Sequence, residues 1–250
     1  MISTTSRLIL VVTVLVCGFV VPCVAQKVVK NEIESHGKKR NYYLMVPDAA
    51  KPEHPAPLLL LLHGSGRNGQ SLMDKWKDIG VKEGIVLVAP DAINPVGWVS
   101  PDDGPDFLHD VVSQVSANYS IDPHRMYVFG HSGGASFALY MGLFESEYFA
   151  AVAIHAGALH PKDKRIVEGA IRKIPFQIAV GTVDPNFPLT AVRDTRDMLV
   201  GAGFTVDLIE MKGHDHWYYD LAPKINATAW TFLKDKKLAE DPHYTQYTFK

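Results

Sequence analysis

Five residues constrain this chain more than any others: Gly130-His131-Ser132-Gly133-Gly134. The apolar, β-rich run Arg125-Met126-Tyr127-Val128-Phe129 precedes them. A run of small and apolar residues, Ala135 to Phe144, follows with helical character. A strand that turns sharply into a helix around G-x-S-x-G leaves no room for a β-carbon beside the serine, so glycines flank it. The serine is held in a strained backbone conformation that aims its Oγ outward. The N-terminus of the following helix directs free N–H groups at the same spot. Acyl transfer needs this combination. Short Gly/Ser patterns also occur in plain strand–helix turns, so the reading depends on flanking context and on partners elsewhere in the chain.

A nucleophilic serine needs a base, an orienting acid and an oxyanion hole. The order Ser, then acid, then His is that of the α/β-hydrolases. The first suitable acid after Ser132 is Asp184, which follows the strand-like run Phe176 to Val180 in Gly181-Thr182-Val183-Asp184-Pro185. Its plainer alternative is a helix cap or Asx-turn before Leu189 to Val200. The base follows the next β-rich run, Thr205 to Met211, in Lys212-Gly213-His214-Asp215-His216-Trp217. We take His216, with His214 as the competitor. Histidines two apart can also share a zinc ion, but no third ligand stands at a persuasive spacing, so no metal is expected. Pro57 to Leu62 is wholly apolar, as for a strand buried on both faces, and ends in His63-Gly64-Ser65-Gly66. The oxyanion donors are assigned to the N–H groups of Ser65 and Gly133. His63 precedes the serine and is expected to fix its loop by hydrogen bonds.

These segments resemble a known group. Leu62-His63-Gly64, Trp98 followed by Asp103 to Leu108, Ile121 to Val128, Gly130 to Gly134 and Gly181 to Pro188 are similar to the secreted esterase and polyhydroxybutyrate-depolymerase group of α/β-hydrolases, which includes feruloyl and acetyl xylan esterases. The resemblance covers about residues 40 to 235. The acid loop and the Gly213-to-His216 spacing also resemble the phospholipase/carboxylesterase (acyl-protein thioesterase) family. Asp215 to Tyr219 is similar to the histidine loop of the esterase D type. Both comparisons favour His216. The departure is that the depolymerase-like group has Gly-His-x-Trp, whereas here Trp217 directly follows His216. The resemblance implies a cofactor-free serine carboxylesterase working through an acyl-enzyme, on plant-polysaccharide-linked acyl groups. Alternatives on the same triad are a (lyso)phospholipase or thioesterase, a polyester depolymerase and a serine peptidase. An inactive hydrolase fold used for binding is the alternative of another class, and the intact Ser132, Asp184 and His216 set argues against it.

The remaining pattern implies a mostly parallel sheet with helices on both faces, and the resemblance implies that this is the α/β-hydrolase fold. Val28 to Glu34 and Arg40 to Val46 read as a hairpin. Gln70 to Val81 reads as a helix, Ile85 to Pro90 as a strand, and Asn94 to Pro105 as a long loop. Asp106 is a candidate N-cap for a helix over Phe107 to Tyr119. Phe149 to Ile154 reads as a strand and Leu221 to Leu233 as a last helix. His155 to Ile174 has room for a small helix but for no cap domain, so the site should be open. Trp98 and Trp217, with Tyr218 and Tyr219, could form an aromatic substrate platform or simply pack their loops. Lys234 to Lys250 is expected to be loosely attached or packed on the surface. The sequons at Asn118 and Asn226 fall in predicted helices and read as coincidental.

The N-terminus differs in kind. Arg7 precedes an apolar run, Leu8 to Val21, then Pro22-Cys23-Val24-Ala25-Gln26. This reads as a signal peptide over residues 1–25, with one domain over 26–250 and a secreted or periplasmic product. An uncleaved anchor is the alternative. Cys17 and Cys23 both lie in the leader, so the mature chain has no thiol. Losing Arg7 moves the formal charge from −2 to −3. Nothing suggests nucleic acid or, once the leader is removed, a stable membrane partner; the expected partner is an ester substrate.

Overall fold

The strongest apolar run of the sequence becomes the middle of the structure. The computed structural model describes residues 26–245; the leader, with Cys17 and Cys23, and residues 246–250 lie outside the described residues. The strands are β1 (Val28–Ser35), β2 (Lys38–Met45), β3 (Ala56–Leu62), β4 (Val86–Pro90), β5 (Ile121–His131), β6 (Ala151–His155), β7 (Phe176–Gly181) and β8 (Val206–Met211). They form one sheet in the order β1-β2-β4-β3-β5-β6-β7-β8. Only the β1–β2 and β2–β4 pairings are antiparallel. All seven residues of β3 are buried, because both faces of the sheet are covered. Leu58, Leu60 and Leu62 point into one layer, with Val111 and Phe137. Leu59 and Leu61 point into the other, with Trp76 and Trp230.

The helices divide accordingly. Helices α2 (Pro105–Asn118), α3 (Gly133–Phe144) and α5 (Leu189–Gly201) supply the first layer. Helices α1 (Gly69–Glu83) and α6 (Ala222–Leu233) supply the second. Local chemistry sets their ends. Asn68 caps α1, its side chain accepting from Ser71 N, and Gly84 closes it in the left-handed region at φ 70°. Asp106 is not the cap of α2. Gly104 holds that place and Pro105 opens the first turn, where a missing N–H costs nothing. Asp106 is then a buried acid within the first turn.

Between β6 and β7 the described residues hold only a 3₁₀ turn (Pro161–Asp163) and the short α4 (Lys164–Gly169), so no cap covers the carboxyl edge of the sheet. The described part of the tail, through residue 245, is packed rather than loose. Leu238 is buried, its N–H donates to His124 O at 3.0 Å, and Tyr244 stacks on His109 at 3.8 Å between centroids. The outer strands are charged. Lys30, Glu32 and Glu34 stand on β1, and Glu210 of β8 pairs with Arg193 at 2.7 Å. Among the described residues no helix is long and apolar enough to cross a membrane.

Candidate active site

The carboxyl ends of β3, β5, β7 and β8 carry four loops to one edge of the sheet, where parallel sheets place ligand sites. At the end of β5, Ser132 has φ 57° and ψ −121°, a strained conformation for a residue with a side chain. The glycines around it make the turn possible. A β-carbon on Gly130 would lie 2.2 Å from Gly134 O, and one on Gly134 would lie 2.1 Å from Leu62 O. The elbow is thus pressed onto both its own helix and the end of β3.

Asp184 follows β7, and its side chain is fully buried. One carboxylate oxygen, Oδ1, accepts the N–H groups of Asn186 (2.8 Å) and Phe187 (3.0 Å). Oδ2 is left facing His216 Nδ1 at 2.9 Å, and His216 Nε2 lies 2.9 Å from Ser132 Oγ. With the imidazole proton on Nδ1 and donated to the carboxylate, Nε2 is free to accept the serine proton. The loops carrying acid and base are stitched together. Val183 N donates to His214 O at 3.1 Å, and Gly213 N to Thr182 Oγ1 at 2.9 Å. His214 O also sits where a β-carbon on Gly181 would be, 2.1 Å away, so only glycine allows the crossing.

His214 points away from the serine. Its Nε2 lies 3.2 Å from His155 Nε2, and His155 Nδ1 lies 3.1 Å from His131 Nδ1. Three imidazoles therefore form a chain beneath the elbow, and the His131 ring stands 5.2 Å from that of His216. Burial, helped by His216, pushes the His131 imidazole down to about 3. Burial, helped by His131 and His214, pushes His155 down to about 2. Both stay neutral at ordinary pH, so they put no like charge against His216 when it takes up a proton.

Gly64 and Ser65 bring the β3 loop against the elbow. A β-carbon on Gly133 would approach Ser65 Oγ to 2.7 Å and Ser65 N to 3.6 Å. Among the described residues neither the Ser65 nor the Gly133 N–H has a protein acceptor. His63 lies beneath. Its Nε2 accepts from Ala92 N at 3.1 Å and its Nδ1 faces Gly64 O at 2.9 Å, which fixes the loop. Burial pushes its pKa down.

Trp98 lies over this loop. Its Nε1 donates to His63 O at 2.8 Å and its ring stacks on Phe137 at 5.2 Å. The loop that carries it is held by an acid for which the sequence gives no structural signal. Asp103 is fully buried, pairs with buried Arg40, and accepts from Ile93 N and Val99 N at 2.9 Å each. Trp217 sits on the rim of the histidine loop, 45% exposed, with Arg67 over its ring at 5.5 Å and over Tyr219 at 5.0 Å. The four aromatics do not make one platform. Tyr218 is buried with its hydroxyl on Asn226 Oδ1 at 2.6 Å, while Trp98 touches His63 and Phe137 and Trp217 touches Tyr219 and Arg67. The same contact, with Asn226 Nδ2 on Lys75 O, buries the second sequon. Among the described residues no three His, Cys, Asp or Glu side chains are grouped to hold a metal.

A mostly parallel sheet with a strained serine at its central turn and, among the described residues, no covering cap is an α/β-hydrolase fold. Residues 33–191 match the model of the Esterase family, described as "Putative esterase", and the chain belongs to that family. It is 28% identical over 181 residues to "Putative esterase NocK" of Nocardia uniformis subsp. tsuyamanensis, covering 66% of this chain and 52% of that one. It is 25% identical over 159 residues to feruloyl esterase C of Emericella nidulans, covering 60% and 57%. The chain thus spans about half the length of these curated relatives. Among solved structures, the fluorophosphonate-binding serine hydrolase FphF of Staphylococcus aureus superposes with a TM-score of 0.71 at 14% identity, over 83% of this chain and 98% of that one. At that identity the likeness is one of fold.

Proposed function

We propose that the chain is a serine carboxylic ester hydrolase that works through an acyl-enzyme. The observation that carries this is the line Asp184–His216–Ser132, with both contacts at 2.9 Å, ending at two unpaired N–H groups. His216 takes the proton of Ser132 as Oγ attacks the ester carbonyl. The oxyanion accepts from Ser65 and Gly133 N–H. On collapse His216 protonates the leaving alcohol. Water then attacks the acyl-enzyme, His216 takes its proton, and the acid departs from a restored Ser132. Asp184 holds the imidazole in the required tautomer and stabilises its charged form.

Family membership supports this reading, and feruloyl esterase C among the relatives supports plant-polysaccharide-linked acyl groups as one substrate class. Export rests on the apolar run Leu8 to Val21 behind Arg7. The test is fluorophosphonate labelling beside a panel of p-nitrophenyl esters, methyl ferulate and acetylated xylan. Ser132→Ala should lose labelling and lower kcat on the order of 10⁶-fold. Near-normal turnover by pure, folded Ser132→Ala would end the proposal.

A further inference from the structure

A groove leads away from the oxyanion loop along the outer face of α3. Its floor is Gly133, Ser136, Phe137, Tyr140, Met141 and Phe144. Steps of three and four residues keep these side chains on one helix face. From Gly133 to Phe144 the helix carries the groove about 16 Å. Trp98 and Ser100 wall it on one side and Ile166 of α4 also lines it, around a volume of about 350 Å³. The polar groups on its floor are already engaged. Ser136 Oγ donates to Ala158 O at 3.0 Å, and the Tyr140 hydroxyl donates to Asp163. No charged side chain lines it.

The direction of the groove sorts the two halves of an ester. The leaving alcohol must lie within reach of His216, which protonates it. No residue from Gly213 to Tyr219 lines the groove, which opens instead at Gly133, one of the two oxyanion donors. The half of the substrate that enters it is therefore the acyl half. We infer that the groove is a binding site for a linear, apolar acyl chain of about a dozen carbons, since an extended chain advances about 1.2 Å per bond. This rests on the serine-esterase reading and narrows it. A single aromatic acyl group would reach Trp98 and Phe137 but would not extend along Tyr140 and Met141.

The test is kcat/KM for p-nitrophenyl esters from acetate to tetradecanoate, with methyl ferulate beside them. Each added methylene should raise kcat/KM roughly two- to fourfold. The rise should level off near twelve carbons. Dodecanoate should compete with the acetate ester for the site. Ile166→Trp, which fills the groove, should lower the dodecanoate-to-acetate ratio on the order of tenfold. Phe144→Gln, at an exposed position, should act only on chains that reach the far end, and it gives a second variant should the first fold poorly. Hydrolysis with a flat or falling chain-length profile, or a ratio unmoved in both variants, overturns the acyl site and leaves the esterase reading standing. Absence of hydrolysis on every ester together with absence of fluorophosphonate labelling overturns both.

Discussion

Lowering the pH from 7 to 5 should destabilise this protein through two buried imidazoles. His131 and His155 are 4% and 0% exposed and hydrogen-bonded to each other. Their folded-state values, about 3 and about 2, lie below the ordinary 6.5. Between those limits the unfolded chain binds a proton at each position and the folded chain does not. Their contribution is therefore complete above about pH 6.5 and falls as the pH drops toward 3. The slope is about 1.4 kcal/mol per pH unit for each group. At pH 5, one and a half units below the unfolded value, each has lost about 2 kcal/mol and the pair about 4. That is a large share of the 5–15 kcal/mol typical of a folded domain. Urea unfolding followed by tryptophan fluorescence at several pH values from 7 to 5 measures it. The variant His155→Gln will be less stable at every pH, but the informative quantity is its slope, which should be shallower by about 1.4 kcal/mol per unit. Wild-type stability that is flat over this range, or an unchanged slope in the variant, refutes the reasoning.

His216→Ala should be nearly as damaging as Ser132→Ala, because nucleophile and base act as a unit, and steady-state kinetics with a p-nitrophenyl ester measures both. His214→Ala in the same assay should keep measurable activity, since His214 faces His155 rather than the serine. Asp103→Ala leaves Arg40 buried without its carboxylate, at a cost of about 3–5 kcal/mol. It should lower Tm on the order of 10 °C in a thermal melt, and reduce kcat/KM by loosening the Trp98 loop. Mass spectrometry of exported protein should find a chain beginning near Gln26 with no thiol; an intact Met1 counts against export with cleavage.

Much of this architecture was legible because its signals are local. Leu58 to Leu62 could hardly be anything but a doubly covered strand, and the elbow announces itself by glycines that have no alternative. Where the signals were not local, the reading stopped short. The apolar run before the elbow begins at Arg125, but β5 begins earlier: Ile121 pairs with Ala56, and Pro123 falls where the register shifts before Leu58 meets Met126. A proline is tolerated there because no ladder bond is required of it. Asp106 looked like a cap because a helix-starting acid is common, but Gly104 and Pro105 take the first positions. Asp103 was invisible as a structural residue because its partner, Arg40, comes from β2, 63 positions earlier. The Gly213-to-His216 spacing favours His216 over His214, but the sequence does not say where His214 points. Both follow β8, and only the path of the loop turns one toward Ser132 and the other toward His155.

The charged outer strands have a consequence for how the molecule behaves in a crowd. An open sheet ends in two rows of unpaired backbone groups, each a template on which a strand from another chain can grow. In β1, Lys30, Glu32 and Glu34 interrupt the apolar residues, and Lys39 of the next strand reaches Glu32 at 3.1 Å. At the far end, β8 exposes Asp207 and Glu210. An approaching strand would have to strip water from these charges at each border, so the sheet that brings Ser132, Asp184 and His216 together within one chain discourages its own extension into fibres.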